Sequence, residues 1–274
     1  MELVGFISLL IIIITSLVSY KGLTNHAFYD KYSFGIDKVL VQKDYKVIVT
    51  SGFLHVSWLH LIFNMFSLYM FSQGLEGFLG PAKYLLIYFA SMIGGNLFTL
   101  FVHRQHADYS AVGASGAVSG LIFASIAINP AFEIGLFGIL FIPAWLYGVL
   151  FVAYSIYGIR SRKDNLGHEA HLAGALIGMI TAIILFPQAL MANYVTILLL
   201  LVPSLIFIFF IIRKPSFLLV DNQFFRSHEA HTIDDRYNIA KHNRQKEIDR
   251  ILEKIHQKGM GSLSKKEKDF LNGK

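Results

Sequence analysis

The chain has 274 residues, 54% of them apolar and only 15% charged, with a formal net charge of +6 and no cysteine. Ordinary soluble domains carry roughly 25% charged residues, so this composition excludes a soluble globular protein. The missing cysteines exclude disulfides, thiolate nucleophiles and cysteine-ligated metals.

Uncharged runs occur at 3–20, 47–75, 84–103, 109–132, 134–159 and 170–212. Each approaches or exceeds the roughly 20 residues that a helix needs to cross a bilayer. The last holds two crossings with a break at Phe186-Pro187-Gln188. The expectation is an all-α, polytopic membrane helix bundle of seven spans. The first reads as a retained helix rather than a signal peptide, because Glu2 and no Lys or Arg precedes it and no small-residue cleavage site follows.

Residues 21–56 are polar, with Lys31, Lys38, Lys43 and Lys46 interleaved with Asp30, Asp37 and Asp44. Phe28, Tyr29, Tyr32, Phe34 and Tyr45 fit a loop lying at the membrane interface; an ordinary solvated loop fits as well. The second span begins near Trp58 and carries His60 and Asn64, four residues apart and therefore on one helical face. Polar side chains inside a membrane need a partner or a wet cavity, so this pair is either functional or bonded to a neighbouring helix. A turn at 74–81 leads to Pro81, which opens the third helix and runs to about Val102. His103 and His106, beside Arg104 and Asp108, read as a solvated connection.

The stretch Gly113-Ala114-Ser115-Gly116-Ala117-Val118-Ser119-Gly120 then places a serine among small residues at the start of an apolar helix. The first N–H groups of a helix lack intrahelical acceptors, and the positive end of its dipole points at the serine. That environment suits an oxyanion. Gly113 and Gly116 allow close approach to the hydroxyl. The spacing of Gly116 and Gly120 equally fits plain helix packing. The serine helix should stop at Asn129-Pro130. Glu133, Gly135, Gly138 and Pro143 suggest a re-entrant or interfacial connection before the fifth span, and 160–164 a charged loop after it.

The sixth span opens with Gly167-His168-Glu169-Ala170-His171, and His171, Gly174, Ala175 and Gly178 share one face. A histidine followed along its stripe by small residues can approach another helix closely, and the complementary stripe holds Ser115, Gly116, Ser119 and Gly120. Glu169 is two residues from His171 and points elsewhere, which argues for a Ser–His dyad rather than a triad.

Beyond residue 212, 14 Lys and Arg face 9 Asp and Glu. With no zinc-finger or aromatic-platform motif, this basic tail is expected to meet lipid headgroups or a protein partner rather than nucleic acid. Ile248, Ile251, Leu252 and Ile255 form one helical stripe ending at Gly259 and Gly261. Ser264-Lys265-Lys266-Glu267 is a capping box opening a second short helix with Phe270 and Leu271. His228-Glu229-Ala230-His231 repeats the motif of the sixth span, but its spacing is not that of zinc proteases.

Gly113-Ala114-Ser115-Gly116, His60 with Asn64, and His171-Leu172-Ala173-Gly174, in this order, make the chain resemble the rhomboid family of intramembrane serine proteases. The resemblance implies a six-helix catalytic core over 1–187, an added span over 188–212 and a hydrophilic tail over 213–274. It implies Ser115 as nucleophile, His171 as general base, and His60, Asn64 and the Ser115 N–H as oxyanion donors. Gly113, Gly116, Gly120, Gly174 and Gly178 then pack the helices around the site. It further implies transmembrane protein substrates, no cofactor or metal, and a bacterial inner membrane. The alternative is a catalytically silent relative that binds or escorts transmembrane helices; a transporter is disfavoured by the lack of paired broken helices. Departures from the family pattern are Ser119 where an aromatic residue is frequent, Gly77-Phe78 after Glu76, and Tyr45-Lys46 where Trp-Arg is common.

Threading seven spans puts 21–56, Arg104, the 160–163 loop and the tail on the side of Ser115 and His171. Before the tail that side carries nine Lys and Arg, against only Lys83 on the other. The positive-inside rule places this face in the cytoplasm, whereas the resemblance implies the opposite. The family orientation is the expectation taken, since five of the nine charges lie in a long loop whose acids partly neutralise it.

Overall fold

The computed structural model describes residues 5–72, 74–136, 140–161 and 167–213, together with Ile251, Lys254, Leu263 and Ser264. The chain forms two units, 1–220 and 221–274. The helices expected around Ile248 and Phe270, and the His228 to His231 repeat, fall outside the described residues.

The first unit is helical: α1 (Phe6–Thr24), α2 (His26–Tyr32), α3 (Ile36–Leu40), α4 (Val47–Thr50), α5 (Trp58–Ser72), α6 (Leu75–Leu79), α7 (Pro81–Val102), α8 (Ser115–Ile128), α9 (Ala144–Ser161), α10 (His168–Leu185) and α11 (Pro187–Arg213). Of these, α1, α7, α10 and α11 are long and apolar enough to cross a membrane. The uncharged run at 47–75 divides into two helical pieces, Val47–Phe53 and Trp58–Ser72, bent by 92°, the second starting at Trp58 where the second span was expected. The helices α8 and α9 are apolar but shorter. This is an integral, multi-pass membrane protein, and the single uncharged run at 170–212 is divided at Phe186, as Pro187 dictates.

Lipid, not water, bathes these helices, and their residues are distributed accordingly. The inward positions of α1 are Ser8, Ile11, Thr15, Ser19 and Gly22, while Phe6, Leu9, Leu10, Ile13, Ile14 and Leu17 face out. Small and polar residues inside let helices approach and bond to one another, and outward apolar chains cost nothing in hydrocarbon. The open amides at the start of α1 meet the buried Glu76 of α6: its carboxylate accepts from Ile7 N–H at 3.0 Å, Ser8 N–H at 2.8 Å and Ser8 Oγ–H at 2.6 Å. An anion at a helix N-terminus satisfies orphan donors and complements the dipole.

At the centre stands α8, buried continuously from Gly116 to Ala127. A helix that is apolar all round belongs inside a bundle. It packs chiefly against α7 and α10, with α5, α9 and α11 completing its surroundings. Its far end is finished by α11. Asn193, where α11 leaves helical geometry (φ −124°, ψ 24°), donates its amide to the carbonyls of Ala127 at 2.9 Å and Ile128 at 3.0 Å.

The all-helical expectation misses two short antiparallel pairs. The strand β1 (Phe34–Gly35) pairs with β2 (Ser110–Ala111), which ties the 21–56 segment to the approach to Ser115. The second pair, β3 (Glu133–Leu136) with β4 (Leu140–Pro143), occupies the connection expected to be re-entrant or interfacial. The 21–56 segment is ordered as short helices with its own core of Phe34, Ile36, Val39, Val47 and Ile48. There Lys38 donates to Asp30 O, Ser33 O and Ser33 Oγ. Burial lowers the pKa of its ammonium against the opposing pull of Asp30, Asp37 and Asp44. Lys46 bridges to Asp44 at 2.9 Å.

Candidate active site

The first intrahelical bond of α8 runs from Val118 N–H to Ala114 O at 3.0 Å. The N–H groups of Ser115, Gly116 and Ala117 therefore precede any intrahelical acceptor. Ser115 occupies the first helical position, and its Oγ lies 2.6 Å from His171 Nε2 on the first turn of α10. A hydroxyl bonded to an imidazole nitrogen is the arrangement in which the imidazole can take the proton as the oxygen attacks.

The close approach of α8 and α10 follows from their glycines. A Cβ on Gly174 would collide with the Gly116 carbonyl, and one on Gly178 with the Gly120 carbonyl. On the other side of α8, a Cβ on Gly120 would collide with the Ser91 side chain of α7. Backbone thus meets backbone along the interface carrying Ser115 and His171.

Gly113 does something different. Its φ of +140° is a conformation that side chains rarely adopt. A Cβ there would stand 3.3 Å from His60 Nε2 and 3.5 Å from Ser115 Oγ. The absent methyl leaves a niche lined by the histidine nitrogen and the serine oxygen together. Asn64 is buried on the same helix, but its amide donates to the His60 carbonyl at 3.0 Å. The structure thus gathers Ser115, His171 and His60, and it ties Asn64 to its own helix turn.

His55 was not among the sequence candidates. It is fully buried between α4 and α5, its ring edge-on to His60 with centroids 4.9 Å apart. Ser19 Oγ donates to Phe53 O at 2.8 Å, so toward His55 Nδ1, also at 2.8 Å, it has only a lone pair to offer. The proton therefore sits on Nδ1. Nε2 is the acceptor, and Ala114 N–H faces it at 3.4 Å. With Gly113 N–H given to Ser51 O at 3.0 Å, both amides before Ser115 are engaged. The only sequence signal for His55 was its place five residues before His60.

One turn after Ser115, α8 carries Ser119 rather than an aromatic ring. Ser119, in that position, turns its hydroxyl back to Ser115 O at 2.7 Å. The neighbours of the His171 ring include His168, at 5.7 Å between centroids, and Phe151 of α9, at 6.5 Å. His103, read from sequence as solvated, is instead buried beside Glu169, while Arg104 and Asp108 are exposed. Glu169 is turned to His103, and the Ser115–His171 pair carries no third member from that carboxylate.

Residues 42–188 match the family model described as the Rhomboid domain, and residues 231–273 match a family of unknown function, DUF6576. The chain is 30% identical over 148 residues to RHOMBOID-like protein 12, mitochondrial, of Arabidopsis thaliana, covering 48% of this chain and 44% of that protein. It is 31% identical over 153 residues to Rhomboid-like protein 11, chloroplastic, of the same plant, covering 52% and 54%. It is 30% identical over 117 residues to Rhomboid protease GluP of Bacillus subtilis (strain 168), covering 43% and 22%. The chain thus spans about half or less of the length of these relatives. The Rhomboid domain model takes in more than half of the chain, which therefore belongs to the rhomboid family.

Proposed function

We propose that this protein is an intramembrane serine endopeptidase that cleaves transmembrane proteins in or near their membrane-spanning helix. The observation that carries this reading is the 2.6 Å contact between Ser115 Oγ and His171 Nε2, at a helix N-terminus and beside the niche left by Gly113. Ser115 Oγ attacks the scissile carbonyl carbon while its proton passes to His171 Nε2. The carbonyl oxygen becomes an oxyanion in the niche, met by the Ser115 N–H, His60 Nε2–H and an Asn64 amide hydrogen. His171 then gives its proton to the leaving amine as the C–N bond breaks. Water, activated by the same imidazole, hydrolyses the ester left on Ser115. Glu169 faces His103 rather than His171, which favours reading Ser115 and His171 as a dyad.

The membrane proposed is a bacterial inner membrane, with the basic tail at 213–274 meeting lipid headgroups or a protein partner. Labelling of Ser115 by a fluorophosphonate probe in the purified full chain tests the reading. Labelling lost in Ser115→Ala, together with cleavage of a single-span substrate protein, supports it. No labelling of the wild-type chain sinks it in favour of a silent helix-binding relative.

A further inference from the structure

His103 closes α7, and its imidazole lies flat on the Tyr109 ring, with centroids 3.8 Å apart and planes 10° from parallel. Its Nε2 faces Glu169 Oε1 at 3.4 Å, and both side chains are only 9% exposed. At that distance no well-formed hydrogen bond closes between them. A carboxylate held so far from water is tolerated only when compensated.

The two partners lead to the two halves of the candidate active site. Tyr109 immediately precedes β2, and its carbonyl accepts from Ile36 N–H at 3.2 Å, which anchors the start of the segment running through Gly113 to Ser115. Glu169 lies in the first turn of α10, two residues before His171. Below the dyad, the contacts Gly116–Gly174 and Gly120–Gly178 fix the helix separation. At the level of the dyad the first turn of α10 still packs on α7, where a Cβ on Gly95 would collide with the Ala170 carbonyl, and Glu169 of the same turn reaches across to His103 at the end of α7.

We propose that Glu169 and His103, stacked on Tyr109, form a positioning clasp that sets the distance between Ser115 and His171 from the mouth side of the site. This rests on the protease reading above. Neither residue touches substrate: Glu169 acts through the first turn of α10 and His103 through Tyr109. Without the clasp, that turn moves relative to Ser115 and proton transfer slows, because a base must stay within hydrogen-bond reach. Substrate docking along the helices is unaffected.

The test uses the full chain in detergent or bilayer, with Glu169→Gln, which keeps shape and removes charge, and His103→Phe, which keeps a stacking ring. In each, kcat and the rate of Ser115 labelling fall about tenfold or more, as sub-ångström misplacement does in other sites, while KM stays within about twofold. The double variant is no worse than the weaker single, because both remove one interaction. Wild-type rates in the double variant overturn the clasp, as do losses that simply add. A deficit that vanishes when rates are measured well below the thermal midpoint is loss of folding alone and also overturns it. If the double variant does not accumulate folded, Glu169→Asp retains the charge with a shorter reach, and an unchanged labelling rate there overturns the proposal. An unlabelled wild-type chain overturns the protease reading itself; a labelled wild type with unaltered variants overturns the clasp alone.

Discussion

The Cα of Gly174 faces the backbone carbonyl of Gly116 with no room for a methyl group between them. Ser115 immediately precedes Gly116, and His171 stands about one turn before Gly174. A Gly174→Ala substitution must therefore push α10 away from α8 or strain both, at a cost of about 1–3 kcal/mol. The expected outcome is a lower thermal midpoint and Ser115 labelling slowed well beyond the stability loss. Wild-type labelling in Gly174→Ala would show that the dyad distance is set elsewhere.

Ser115→Ala and His171→Ala are each expected to abolish cleavage while leaving the fold intact. Nucleophile and base act as one unit, so the double variant is no slower than either single. Turnover of a single-span substrate by purified variants checks this. Substantial cleavage by Ser115→Ala, with contaminating protease excluded, contradicts the assignment.

His60→Ala is expected to cost turnover roughly 10²–10³-fold, the usual consequence of losing one oxyanion donor. Asn64→Ala should cost less, since part of its amide is committed to the His60 carbonyl. Saturation kinetics decide it. Equal, wild-type kcat in both variants would assign the pair to helix packing.

His55→Phe keeps a ring but removes both hydrogen bonds, leaving Ala114 N–H without its acceptor in the segment that presents Ser115. An orphaned buried amide costs about 1–3 kcal/mol. A lowered thermal midpoint accompanied by slower labelling is expected. A variant matching the wild type in both measurements would reduce His55 to a space filler.

Much of this was legible in the sequence, for identifiable reasons. Pro81 and Pro187 start helices and Asn129-Pro130 ends one, because proline geometry is local. The glycine stripes of α8 and α10 are visible because a helix repeats its faces regularly. The 92° bend before α5 was not legible, since 47–75 is uncharged throughout and hydropathy does not report direction. Nor were the two strand pairs, each too short to establish an alternating pattern. His103 was misread because its neighbours Arg104 and Asp108 are exposed, whereas its partner Glu169 lies 66 positions away in the chain. Long-range pairing leaves no local periodicity. His55 went unnoticed for the same reason, its partners being Ser19 and Ala114.

Orientation is a separate question of charge. The mouth of the site lies at the end where α1 and α7 finish and α5, α8 and α10 begin, and α11 also finishes there. With the family orientation, alkaline phosphatase fused after Lys274 is active. A fusion of a fluorophore that matures only in the cytoplasm, bright at Lys274, would instead show that the nine cations had prevailed.

Asn193 bears on how this protein can be cut. Its amide occupies the carbonyls of Ala127 and Ile128, at the end of α8. A chain shortened after Phe186 would keep every residue assigned to catalysis. It would also leave those two backbone acceptors without the Asn193 amide, at a cost of about 1–3 kcal/mol for each that stays buried. The added span is therefore not a detachable appendage.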